Sequence, residues 1–147
     1  MEKIIEMQII EAVRSILTGR VNEVLGNWQT LIPLFEFSDY QNMTAVVPVV
    51  TLSSCERTEK ERIIKLDAYS LTIAFTVPET QDSELFCYAY TTAVGKALGE
   101  NPTFGGIVDK VSVSGKKYIP PKKAHCGQGW EVVITLRITK EGIDYAG

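Results

Sequence analysis

The sequence is poor in the residues that most often carry chemistry: its 147 residues include one histidine, His125, and three cysteines, Cys55, Cys87 and Cys126. An odd number of widely spaced cysteines fits neither a disulfide framework nor paired zinc knuckles, and it points to a reducing compartment. A structural zinc site takes four protein ligands and a catalytic one takes three with an open position. His125 beside Cys126 has no second local pair, so it reads as part of a surface loop, and no metal or cofactor is expected. Long apolar runs are also missing. The opening MEKIIEMQIIEAVRSIL is interrupted by Glu2, Lys3, Glu6, Glu11 and Arg14, which denies it the apolar core of a secretory signal. Nowhere does the chain approach the roughly 20 apolar residues that span a bilayer. A net charge of -3 supplies no overall attraction to nucleic acid or to an anionic membrane. The expectation is a soluble protein with neither as a partner, and with no internal repeat, low-complexity tract or linker.

What is present suits one globular domain over residues 1–147. Hydrophobic residues make up 45% and charged residues 22%, far from the composition of a disordered chain. Residues 4–18 place Ile5, Ile9, Ala12, Val13, Ile16 and Leu17 on one side at helical spacing, with Gly19 as the expected stop. Segment 20–45 has no sustained period and reads as an irregular connection with one short strand. From Val46 to Leu52 β-branched residues dominate, and Pro48 favours an edge strand or the start of one. The charged run Cys55–Arg62 reads as a turn or loop. Tyr69, Leu71, Ile73, Phe75 and Val77 alternate cleanly with polar residues and make the clearest strand. Ile64 and Leu66 lie on the opposite phase, which predicts a bulge near Asp67 and Ala68, or a separate use for a strand end that projects beyond the sheet.

Pro78 ends that strand. Asp82 or Ser83 is positioned to cap a second helix carrying the stripe Phe86, Ala89, Tyr90, Ala93, Val94, Ala97 and Leu98, closed by Gly99. A turn at 101–106 then leads to a short strand from Ile107 to Val113, and Trp130 to Thr139 alternates as a last strand, antiparallel to it. The fold class expected is α+β: a mostly antiparallel sheet of four to five strands with two amphipathic helices on one face. The predicted core sets Ile9, Val13, Ile16, Phe86, Tyr90, Ala93 and Ala97 against Leu71, Ile73, Phe75, Ile134 and Leu136.

The pattern holds no catalytic constellation, and the chain is not expected to be an enzyme. Gly105 and Gly106 follow a helix and precede a strand, the reverse of the order that presents helix amides to phosphate. Charges alternate in sign through CERTEKERIIK, as on a solvated loop or a self-neutralising hairpin. Cys87, near the apolar stripe, reads as a small hydrophobe. The most unusual stretch is SGKKYIPPKKAHCGQG, residues 114–129, where Lys116, Lys117, Lys122 and Lys123 flank Tyr118 and a stiff Pro–Pro step. It reads as an exposed docking arm or a solvated loop, and nucleic-acid binding is the weaker choice because one aromatic accompanies four lysines. With Arg62, Lys65 and Asp67 on the off-phase strand end, these residues form the candidate interaction surface.

In order and phrasing the chain resembles the tail terminator, or tail completion, proteins of long-tailed bacteriophages and prophages. An amphipathic helix leads through an aromatic-containing connection to VVPVVTLSSCERTE and the long strand LDAYSLTIAFTV. Next come the helix ELFCYAYTTAVGKAL, the turn NPTFGGIV, the strand DKVSVSG and the closing strand WEVVITLRITK, most of residues 1–140. The resemblance implies a homo-oligomeric ring, typically a hexamer, that caps the tail tube and offers a surface to the head. The implied partners are further copies of itself, the tail-tube protein and a head-completion or connector protein. The implied location is the virion tail, after assembly in the host bacterial cytoplasm. The alternatives are another head–tail joining or tail-tube subunit, or a small-molecule-binding or enzymatic α+β domain.

Overall fold

The structure is a computed structural model that describes residues 4–28, 32–37, 45–78, 80–121 and 129–143. It begins with one continuous helical run. Helix α1 (Ile5–Ile16) passes through a π-helical segment (Leu17–Val21) into helix α2 (Asn22–Gly26). Gly19 therefore does not stop the helix, and residues 20–26 are helical rather than irregular. The reason lies in the apolar spacing: Ile9, Val13, Leu17, Val21 and Leu25 recur every fourth residue, and all are at most 1% exposed. In an α-helix a step of four residues over-rotates by about 40°, so a stripe held over five such positions would wind off the core. The wider turns of the π segment take up that drift and keep all five side chains facing inward.

Two short strands follow, β1 (Leu34–Phe35) and β2 (Ala45–Val46), paired in parallel. The first is the short strand expected in segment 20–45. Phe35 is pinned from two directions. The Asn22 side chain donates from Nδ2 to the Phe35 carbonyl and accepts from its amide at Oδ1, both at 2.9 Å. The Phe35 ring meets Phe75 and Tyr90 at centroid distances of 5.0 and 5.1 Å, contacts worth about 1 kcal/mol each beyond burial. The Tyr90 hydroxyl donates to the Pro33 carbonyl.

The main sheet contains β3 (Val49–Glu59), β4 (Ile64–Val77), β5 (Lys110–Ile119) and β6 (Trp130–Ile143) in the antiparallel order β3-β4-β6-β5. β3 is an edge strand beginning just after Pro48, as its missing donor requires. It also runs further than expected: Cys55 to Glu59 form its outer half, paired with Tyr69 to Lys65. Of the two readings of this alternating charge, the self-neutralising hairpin is the one that forms, with Arg57 paired to Asp67 and Lys65 to Glu59 across the strands. No bulge occurs at Asp67 or Ala68. β4 pairs with β6 without interruption from Ile64↔Ile143 to Val77↔Trp130, and the irregularities lie in the edge strands, between Leu52 and Ser54 and between Val113 and Gly115.

Helix α3 (Ser83–Glu100) lies against β4, β5 and β6, and α1 lies against β3. Asp82 takes the N-cap position of α3, as expected, but makes no side-chain capping bond, and Ser83, the first residue of the helix, turns its hydroxyl back to the Pro78 carbonyl at 2.9 Å. At the far end Asn101, not Gly99, closes the helix, donating from Nδ2 to the Ala97 carbonyl at 2.9 Å ahead of Pro102. Phe104, Gly105 and Gly106 then take φ values of 50, 70 and 92°. Three successive left-handed residues make the sharp turn for which two glycines are suited, and they sink Phe104 into the core at 6% exposure. A single buried cluster joins α1, α3 and the sheet, including every residue of the predicted core except Ile16, which is partly buried beside it.

Two substitutions test this arrangement. Ile73 is fully buried, so Ile73→Ala is expected to cost about 2–5 kcal/mol in denaturant unfolding. A Cβ on Gly129 would lie 1.8 Å from the Val77 carbonyl oxygen, where only backbone can give way. Gly129→Ala is therefore expected to lower stability by about 3 kcal/mol, and a melt unchanged from wild type would disprove that close approach.

Candidate interaction surface

The sheet does not gather the candidate residues into one site. Lys116, Lys117 and Tyr118 belong to β5, opposite Ile134, Val133 and Val132 of β6. The expected loop arm thus starts as strand, because Val111, Val113, Tyr118 and Ile119 give this segment enough apolar positions to pair. Lys122 and Lys123, with His125 and Cys126, lie outside the described residues. Lys65 and Asp67 stand near the other end of the sheet, and Arg62 is exposed in the adjoining turn. From Ala74, which shares the cross-sheet row of Lys117, to Asp67 is about 23 Å along β4.

At the β5 end the surface is aromatic and basic. Tyr118 rests edge-on against Tyr88 of α3, centroids 5.2 Å apart, and its hydroxyl lies 2.9 Å from Thr91 Oγ1. Tyr88 donates its own hydroxyl to Glu84 at 2.9 Å. Tyr88 and the neighbouring Leu85 are 45% and 46% exposed, and Lys116 shares the sheet phase of Tyr118, two residues away.

The other end has a different chemistry. β3, β4 and β6 run on past Lys110, where β5 begins, as a three-stranded extension. On the phase that faces the core elsewhere, this extension carries charge. Arg57 grips Asp67 through both carboxylate oxygens, at 2.7 and 3.0 Å. Lys65, 9% exposed, reaches Glu59 at 3.3 Å, and Lys140 donates to the Ile107 carbonyl at 2.8 Å. The predicted site residues Lys65 and Asp67 are thus engaged within the chain. Beside these residues lie Leu66, which its off-phase position already marks in the sequence, and Glu56, Tyr88 and Leu85, whose place at these two ends emerges only from cross-strand and helix–strand neighbours.

Neither cysteine among the described residues has its thiol activated. Burial pushes the Cys87 thiol up to about 11 and also raises Cys55. Among the described residues no three of histidine, cysteine, aspartate and glutamate come together as a metal-holding group, and no helix is long and apolar enough to cross a membrane. No protein-family model and no curated protein matches the chain.

The Arg57 guanidinium holds the Asp67 carboxyl below its ordinary value of 3.8. A carboxyl depressed in the folded state contributes stability above the unfolded pKa and loses it as pH falls through the folded one. Arg57→Gln is expected to move the Asp67 titration upward toward the ordinary value in a side-chain carboxyl NMR titration. An unmoved Asp67 would show that the pair does not set it.

Proposed function

We propose that the chain is a structural assembly subunit that ends a bacteriophage or prophage tail. Copies form a ring on the last ring of the tail tube, stop tube growth and present the surface to which the head joins. The ring in the family it resembles is typically a hexamer. One observation carries the reading: the sheet has surfaces of different chemistry near its opposite ends, aromatic and basic beside α3, and on the three-stranded extension exposed charge from Glu56, Arg57 and Glu59 beside half-buried Ile64 and Leu66. Surfaces too far apart to form one site within a subunit suit contacts between subunits, and unlike surfaces suit the head-to-tail contacts that close a ring. The order of elements supports the same reading. Partners follow from the role: further copies of the chain, the tail-tube protein and a head-completion or connector protein.

The test is tail morphology in the phage or prophage that encodes the chain. Loss of the chain is expected to give overlong or headless tails, whereas tails of normal length joined to heads would reject the reading. Changing Lys116, Lys117, Lys122 and Lys123 together to Glu is expected to leave the melt intact. Assembly should weaken more at low salt than at high salt, since exposed charges are screened. Normal, correctly ended tails from the folded reversed variant would remove this basic segment from the mechanism.

A further inference from the structure

The polarity of β4 inverts along its length without a bulge. From Tyr69 to Val77 the odd-numbered side chains are buried and apolar, while Ser70, Thr72 and Thr76 occupy the other face. In the extension the odd positions are Lys65 and Asp67, and Ile64 and Leu66 occupy the other face. Side chains alternate strictly along a strand, so one uninterrupted strand presents opposite faces for burial in its two halves. The body half is covered by the chain's own core. The extension turns its apolar residues away from that core, and Ile63 at the adjoining turn is 45% exposed.

We infer that this extension is a docking tongue whose Ile64–Leu66 face seats on a second copy of the chain, on the Tyr88, Leu85 and Tyr118 surface between α3 and β5. Charge selects that occupant. On the Ile64–Leu66 face Glu141 stands opposite Leu66 but is held by Lys60 at 3.1 Å, and exposed Glu56 lies in the row Glu56↔Ala68↔Thr139↔Lys110, with Lys110 at its far side. Lys116 stands on the same sheet phase as Tyr118 in the receiving surface. Aliphatic residues with an acidic neighbour on one copy thus meet aromatic residues with a basic neighbour on the next. The two surfaces lie at opposite ends of the sheet, so each subunit gives its tongue to one neighbour and receives one from the other. This deepens the assembly reading and rests on its claim that copies associate. It adds the contact that joins them.

A charge swap in the full chain tests the contact by sedimentation equilibrium at low salt. Glu56→Lys and Lys116→Glu, each alone, are expected to lower the association constant at least tenfold, and the double variant to return it to within about threefold of wild type. Leu66→Ala should lower association with the melting transition retained. Single variants that associate like wild type, a double variant no better than the weaker single, or a wild-type chain that stays monomeric throughout would each overturn the docking. So would a Leu66→Ala variant that melts lower yet associates normally, because a segment of the same chain would then cover the tongue. Tail length separates the two claims. Restored association in the swap without any effect of the chain on tails keeps the contact and discards the tail reading, and the converse discards the contact alone.

Discussion

The register of β4 against β6 is the constraint on which the rest of the molecule depends. The two strands pair from Ile64↔Ile143 to Val77↔Trp130 without a slip. Leu71 therefore stands beside Leu136, Ile73 beside Ile134 and Phe75 beside Val132, all at most 3% exposed. A shift of one residue would send each of these to the opposite face. Gly129, with no room for a side chain against Val77, sets where this pairing begins. The edge strands absorb the irregularity instead. Ser53 and Ser114 sit at their register breaks, and their hydroxyls donate to the Ser70 and Thr135 carbonyls of the central strands at 3.0 and 3.2 Å. Each break thus still satisfies an acceptor on the strand inside it.

A second constraint comes from the helices. The stripe of α1 and α2 has to stay over the core through Leu17, Val21 and Leu25, and the π segment achieves this while bringing Arg20 to the end of α3. There Arg20 clamps Glu100 from Nε at 2.7 Å and donates a second bond at 3.1 Å. The guanidinium also meets Glu23 at 3.2 Å. These groups are partly exposed, so the clamp contributes modestly to stability. It ties the π segment to a helix far away in sequence. Asn22, two residues on, then fastens β1, so a local change in helical winding determines where Phe35 meets Phe75 and Tyr90.

Much of this is legible in the sequence, and the failures have physical causes. The alternation in β4 and β6 and the stripe in α3 are strong signals because each element buries one face. Gly19 misleads because glycine is a common helix end, while Val21 and Leu25 continue past it the stripe that Ile9, Val13 and Leu17 begin. The outer half of β3 reads as a loop because its charges are satisfied across strands, as Arg57 is by Asp67, and such pairing leaves no hydrophobic period. The end of β5 reads as one because Gly115, Lys116 and Lys117 interrupt its apolar alternation, although they pair with β6 opposite Thr135, Ile134 and Val133. The off-phase Ile64 and Leu66 are visible in the sequence alone. A bulge is one explanation of them, and the unbroken pairing with β6 excludes it at Asp67 and Ala68; the docking proposed above takes up the other, a separate use for the strand end.

Inverting the phase rather than leaving the edges bare has a consequence for assembly. Long flat edge strands invite pairing with any extended chain, and bulges and charged side chains discourage it. Both edges here carry a register break, and β5 adds Lys116 and Lys117 beyond its own. Under the docking proposed here, selectivity moves from the backbone, which every chain shares, to side chains on a sheet face, which few chains match. The tongue needs an aromatic surface with a basic neighbour, and the receiving surface needs an aliphatic face with an acidic one. Two such unlike surfaces on one rigid sheet fix the angle between successive copies, and that angle decides whether a head-to-tail chain closes into a ring or grows as a filament.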